Sequence, residues 1–285
     1  MADGRNLNWF PGHMTKALRT MEADLKLVDC VCEITDARIP RSSRNPALDE
    51  LLNRKPRLLL LNRADQADPR ATKEWIAYYE GLGIPALETD CRSGKGVDRF
   101  PAAVRSLMAE KLRALEAKGQ GSKPLRAMVV GIPNVGKSSF INKAAGRKAA
   151  AASDRPGVTR GRQWVTVSKG LELLDTPGVL WPKFEDPQVG EHLAFTGAVK
   201  DQVLDTEDLA ARLLLLLRER APQALLDRFR LADTEGLQGW ELLEAAARNR
   251  GFLISGGEAD TLRLSNVLLD EFRAGKLGRL TLEVP

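Results

Sequence analysis

An apolar, β-like run from Leu125 to Val130 stops at Gly131-Ile132-Pro133-Asn134-Val135-Gly136-Lys137-Ser138, and a helical pattern starts at Lys137. The octapeptide fits G-x-x-x-x-G-K-[ST], and a strand before it with a helix after it is the context that gives this pattern its meaning. Such a loop lets backbone N–H groups converge on one point and adds the positive end of a helix, which together hold phosphate. Lys137 is expected to reach the β- and γ-phosphates, and the Ser138 hydroxyl to bind Mg²⁺. Asn134, Val135, Gly136 and Ser139 belong to the same expected nucleotide contact. Strands alternating with helices on either side of the loop argue for a parallel α/β sheet.

Asp175-Thr176-Pro177-Gly178 follows a second apolar segment, Leu171 to Leu174. Alone, D-x-P-G is a turn signal. Behind a phosphate loop, Asp175 fits the Mg²⁺-side aspartate, and Gly178 can offer its N–H to a γ-phosphate. Between them lies Arg155-Pro156-Gly157-Val158-Thr159, where a Thr suits a switch that completes Mg²⁺ coordination when a γ-phosphate is present. The expected Mg²⁺ set is therefore Ser138, Thr159 and Asp175. Lys137, Thr159 and Gly178 are candidate catalytic residues.

Asn62-Arg63-Ala64-Asp65 ends a third apolar run, Arg57 to Leu61, and resembles the N-K-x-D guanine motif of GTPases. An Asp accepts both the N1–H and the exocyclic amine of guanine, a pair adenine cannot supply, and losing such a paired contact is costly. Asn62 is expected to organise the site. Arg63 stands where Lys is usual; its guanidinium plane can stack on a nucleotide, but the two side chains are not equivalent. Thr89 to Gly96 lies where GTPases carry a loop that offers backbone N–H to guanine O6, which places Asp90 and Cys91 beside the base. The usual order of these motifs is reversed here, since the guanine residues precede the phosphate loop. This is a circular permutation. The same sheet can form if Val97 to Pro124 joins the former ends. The cut then falls just after Gly178, so the switch runs directly into the C-terminal region, and nucleotide state is expected to reach that region's orientation or order.

The expected architecture is an α/β, circularly permuted P-loop GTPase fold, a mostly parallel sheet with flanking helices, over residues 1–184. An all-helical C-terminal domain follows over 185–285, with Leu209 to Leu217 and Trp240 to Ala247 its firmest segments. Residues 1–185 carry 31 Lys/Arg against 21 Asp/Glu, and residues 186–285 carry 12 against 17. The basic excess of the first part points to an anionic partner beyond the nucleotide, or to a basic solvated surface. No apolar run reaches membrane-spanning length, and Met1 to Trp9 has no signal core. Cys30, Cys32 and Cys91 lack zinc spacing and read as reduced thiols of a cytoplasmic protein.

Trp9-Phe10-Pro11-Gly12-His13-Met14 resembles the W-F-P-G-H-M opening of the YlqF/RbgA ribosome-assembly GTPases. Asp36-Ala37-Arg38-Ile39-Pro40 with Ser43-Arg44-Asn45-Pro46 resembles that family's second signature. With the guanine motif, the phosphate loop, Thr159 and Asp175 to Gly178, the likeness spans roughly residues 8–180 in order. It implies GTP hydrolysis to GDP coupled to late maturation of the large ribosomal subunit, with the subunit precursor and its rRNA as partner; the protein is expected to be a monomer. Lys143, Arg147, Lys148, Arg155, Arg160 and Arg162 fit docking on RNA phosphates or a solvated basic loop. Val179 stands where many signalling GTPases place a water-orienting Gln. The resemblance implies that His13 takes up that task when the ribosome is bound, whereas the residues alone favour a packing role for it; His192 reads as structural. Asn134 resembles the P-loop Asn of cation-dependent GTPases, which implies a K⁺ beside the phosphates. Two other readings fit the same motifs: a GTP-gated RNA-binding module, and a GTPase acting on tRNA or signalling partners.

Overall fold

The computed structural model describes residues 11–146, 163–181, 184–199 and 205–285, with side chains from Lys16 onward. The chain forms two compact units. The first holds residues up to Asp65, Pro69–Glu185 and Glu283–Pro285; the second holds Gln66–Asp68 and Asp186–Leu282.

In the first unit the described elements run α1 (Pro11–Leu25), β1 (Cys30–Asp36), α2 (Pro46–Leu52), β2 (Arg57–Asn62), α3 (Pro69–Gly81), β3 (Ala86–Glu88), α4 (Phe100–Leu107), α5 (Ala109–Ala117), β4 (Leu125–Val130), α6 (Lys137–Ala144), β5 (Gln163–Ser168) and β6 (Leu171–Asp175). They build one six-stranded sheet in the order β3-β2-β1-β4-β6-β5. All neighbours are parallel except β5 and β6. Every residue of β1 and β2 is buried, which is why both strands read as unbroken apolar runs rather than alternating ones. Cys30 and Cys32 lie fully inside and act there as small apolar residues.

The registers matter for function. Asp36 pairs with Asn62, Glu33 with Val130, and Val129 with Asp175. Asp36, Asn62, Gly131 and Asp175 therefore meet at the carboxyl edge of the parallel strands. Strand order reverses between β1 and β4, and a crevice for ligands opens at that kind of junction.

The sequence pattern of Val97 to Lys118 suits one long helical stretch, and the structure forms two helices there. Met108 between them leaves helical dihedrals (φ −103°, ψ 16°). The reason is packing: α4 buries Phe100 and Val104, and Phe100 meets Phe140 of α6 edge-on at 4.9 Å, while α5 buries nothing. A helix without a buried face has little to hold it in line with its neighbour.

The second unit contains α7 (Pro187–Phe195), α8 (Thr206–Arg220), α9 (Pro222–Phe229), α10 (Gly239–Asn249) and α11 (Thr261–Arg273). Helix α8 buries Leu209, Ala210, Ala211, Leu213, Leu214 and Leu217 at its centre. Asp205 caps it by accepting from the Glu207 and Asp208 N–H groups at 3.1 and 3.2 Å. Arg228 of α9 grips Glu271 of α11, with Nε to Oε2 at 2.7 Å. His192 is buried on α7 among this unit's core residues. Among the described residues no helix is long and apolar enough to cross a membrane.

Candidate nucleotide site

The P-loop residues sit between the end of β4 and the start of α6. Gly136 has φ 102°, a left-handed value that an L side chain strains to adopt. A Cβ there would also lie 2.4 Å from Asn62 Nδ2. Lys137 is buried, and its ammonium donates to the carbonyls of Gly131 (3.2 Å) and Ile132 (2.7 Å), arching over the loop. Burial pushes the ammonium down to about 8, with the charge of Asp175 acting the other way. Burial likewise pushes the Asp175 carboxyl up, against Lys137 and the Thr176 N–H. Both groups are thus shifted toward their neutral forms, and triphosphate oxygens with a divalent cation would favour the charged forms. Ser138 and Ser139 follow in the first turn of α6, Ser138 half-buried and Ser139 exposed.

Asp175 ends β6 beside β4, and Thr176 fixes that position by donating from Oγ1 to the Val129 carbonyl at 2.6 Å. A Cβ on Gly178 would come within 2.7 Å of Lys137 Nζ and 2.9 Å of Pro133. Residue 178 thus lies against Lys137, the lysine expected to reach phosphate, which is where a backbone N–H can face a γ-phosphate.

The guanine motif arrives at the same place from β2. Asn62 is buried; its Nδ2 donates to the Val135 carbonyl at 2.9 Å, and its Oδ1 accepts from the Cys91 thiol at 3.0 Å and the Thr89 hydroxyl at 3.4 Å. One amide therefore ties the P-loop to the 89–96 loop. Arg63 takes a left-handed conformation (φ 60°) and donates to the Asn134 carbonyl at 2.8 Å. Its guanidinium joins the two motifs directly. Behind it, Asp36 receives a two-pronged pairing from Arg38 (2.7 and 2.9 Å) and faces Arg63 Nε at 3.6 Å. Burial opposes the Asp36 charge, but Arg38 and then Arg63 hold its carboxyl below the usual range.

The remaining base-loop residues are placed as follows. Asp65 is part-exposed, with Arg92 3.9 Å away. Asp90 turns its carboxylate onto its own loop, accepting from the N–H groups of Arg92 (2.7 Å) and Ser93 (3.2 Å) and from the Ser93 hydroxyl. These bonds outweigh burial and lower its pKa. Burial, aided by the charge of Asp90, pushes the Cys91 thiol up to about 12, so it stays protonated and can donate to Asn62. Lys143, at the end of α6, donates to the Arg92 carbonyl at 3.3 Å.

The structure thus gathers Asn62, Arg63, Asp65, Asp90, Cys91, Asn134, Val135, Gly136, Lys137, Ser138, Asp175 and Gly178 around one crevice. Thr159, Trp9 and Phe10 lie outside the described residues, as do Arg147, Lys148, Arg155, Arg160, Arg162 and the side chain of His13. Sequence reasoning missed Thr89, Asp36 and Arg38 as supports of this site. A Thr at a strand end beside the guanine loop was the only sign for Thr89. Asp36 and Arg38 stood inside a noted signature without a role.

Comparison with known proteins follows the same lines. A family model described as a 50S ribosome-binding GTPase matches residues 126–230. Ribosome biogenesis GTPase A of Bacillus cereus is 48% identical over 280 residues, covering 98% of this chain and 94% of that protein. Its counterpart from Priestia megaterium is 47% identical over 281 residues, covering 98% and 97%. The crystal structure of GNP-bound YlqF from T. maritima superposes with a TM-score of 0.65 at 27% identity, over 95% of this chain and 98% of that one. Identity of this depth along almost the whole length, on a fold that joins a reversed guanine motif to its P-loop, means that the chain belongs to the ribosome biogenesis GTPase A (YlqF/RbgA) family.

Proposed function

We propose that this GTPase binds GTP and GDP with Mg²⁺ and spends GTP hydrolysis on late assembly of the large ribosomal subunit, docking on the precursor particle and its rRNA. The observation that carries the nucleotide reading is the 2.9 Å bond from Asn62 to the Val135 carbonyl, which sets guanine-reading and phosphate-holding residues on one ligand. Asp65 then accepts from the guanine edge, with the backbone around Asp90 and Cys91 facing O6. The P-loop amides from Asn134 to Ser139 surround the phosphates, and Lys137 turns from its carbonyls to their oxygens. Ser138, Thr159 and Asp175 would hold Mg²⁺, which supplies positive charge to the β- and γ-phosphate oxygens. The Gly178 N–H meets the γ-phosphate. Asn134 would hold K⁺ as the further cation.

Val179 has no polar side chain to orient water, so turnover is slow until His13, brought into place on the ribosomal precursor, acts as hydrogen-bond acceptor or base. The basic excess of the first 185 residues supports an rRNA partner. The protein is read as a cytoplasmic monomer whose helical unit responds to nucleotide state. Sedimentation of cell extract tests the assignment: with a non-hydrolysable GTP analogue the protein should travel with large-subunit particles, and with GDP it should stay near the top. Identical profiles with both nucleotides would remove the ribosomal reading, and binding to tRNA instead would favour a different GTPase role.

A further inference from the structure

The segment from Asp36 to Pro46 contributes no phosphate or base contact in the chemistry above, yet one of its residues reaches the phosphate side. Asn45 is buried, 1% exposed. Its Oδ1 accepts from the Ala47 N–H at 3.0 Å and caps α2. Its Nδ2 donates to the carbonyl of Val179 at 3.0 Å. Val179 follows Gly178, and its own N–H donates to the Gly131 carbonyl at 3.3 Å. Residue 179 is therefore held at both ends of its backbone, its N–H by the P-loop and its carbonyl by Asn45.

The support under Asn45 is stiff. The Asp36 N–H donates to Ser43 Oγ at 2.9 Å, and Ser43 Oγ donates to the Ile39 carbonyl at 2.7 Å. The Tyr79 hydroxyl donates to the Pro40 carbonyl at 3.0 Å. Next to Asn45, Arg44 bonds Asp49 at 2.6 Å and Glu33 at 3.3 Å, with its guanidinium over the Tyr79 ring at 5.3 Å. A side chain whose neighbours are locked in this way can fix a backbone atom to a fraction of an ångström.

We propose that Asn45 is a positioning residue for GTP hydrolysis: by gripping the Val179 carbonyl it sets the Gly178 N–H at the height of the γ-phosphate, and so favours triphosphate over diphosphate. This rests on the reading of Gly178 as the γ-phosphate contact. GDP has nothing to place against Gly178, so the grip acts on GTP alone. A cap that only stabilised α2 would affect both nucleotides through folding, and this difference makes the two roles separable.

Asn45→Ser and Asn45→Asp both keep an N-cap acceptor for α2. Neither can donate to Val179: the serine is too short, and the aspartate sets oxygen against oxygen. Both variants should bind GDP within about twofold of wild type, while affinity for a non-hydrolysable GTP analogue and kcat each fall about tenfold. Thermal unfolding of each identifies a variant that has lost its fold, in which case the other supplies the answer. Gly178→Ala, whose Cβ would crowd Pro133 and Lys137, is measured beside them and should lose the analogue more than GDP. If Gly178→Ala retains the analogue, the Gly178 reading fails and the proposal with it. If Gly178→Ala loses it while the Asn45 variants discriminate as wild type does, or lose both nucleotides equally, Asn45 has no positioning role.

Discussion

Asn62 commits its donor to the P-loop and its acceptor to Cys91 and Thr89. In the proposed function the guanine edge is then left to Asp65, whose only described ion-pair partner is an exposed Arg92 at 3.9 Å. Asp65→Ala should therefore weaken GTP by about 2–3 kcal/mol and erase most of the preference over ATP. Displacement of a fluorescent guanine nucleotide by each competitor measures this; retained preference would place base recognition elsewhere. Lys137 carries a pH signature. Its ammonium in the free protein titrates at about 8, and phosphate favours the charged form, so the bound value is higher. Below pH 8 the lysine is already charged and binding moves no proton to it. Above pH 8 binding takes one up, and GDP affinity should fall toward tenfold per pH unit. Calorimetry in two buffers of different ionisation heat should show this uptake growing between pH 7 and 8.5. The motif residues were legible because their chemistry fixes residue type and spacing. Their partners were not: Arg63 to the Asn134 carbonyl and Asn45 to the Val179 carbonyl join segments far apart in sequence, and no local pattern encodes them. The Arg63 guanidinium plane can stack on a nucleotide, and the structure shows its edge donating to the Asn134 carbonyl.

Strand β4, bounded by Pro124 and Gly131, was readable to the residue, because an apolar run ended against residues that punctuate local structure. The break at Met108 was not, since both sides have good helix formers and only burial separates them. Strand order could not be read locally either, since β1, β2 and β4 are similar apolar runs and their order depends on the connections between them. In the helical unit the joint between α9 and α11 carries a prediction. The Arg228 hydrogen bonds hold the Glu271 carboxyl below its ordinary value, although burial pushes the other way. A depressed carboxylate contributes stability that is present above the unfolded-state value and is lost as pH falls through the folded one. Glu271→Gln should therefore lower the unfolding temperature at pH 7, and the gap to wild type should close as pH drops below the normal glutamate range. A gap that stays constant with pH would mean that the pair's charge contributes nothing.

For the whole molecule, the prediction concerns stimulated turnover. With the ribosomal precursor present, GTP hydrolysis should run faster in K⁺ than in Na⁺ at equal ionic strength, because a cation at Asn134 adds positive charge where negative charge builds up. His13→Ala should keep GTP affinity yet lose that stimulation by about 10²-fold or more. Phosphate release assays with and without precursor measure both, and equal rates in the two salts or an intact response in the variant would remove the respective residue from the mechanism. The junction of β1 and β4 has a further bearing on how such a molecule is made. The residues proposed to read guanine precede β4 in the chain, and those proposed to cradle phosphate follow it. As synthesis proceeds from the N-terminus, the Asn62 amide emerges with no Val135 carbonyl to meet, and the early half can grip nothing. The two halves meet only after β4 and β6 have joined the sheet beside β1, so capture of GTP would report that the chain is folded at least as far as Gly178.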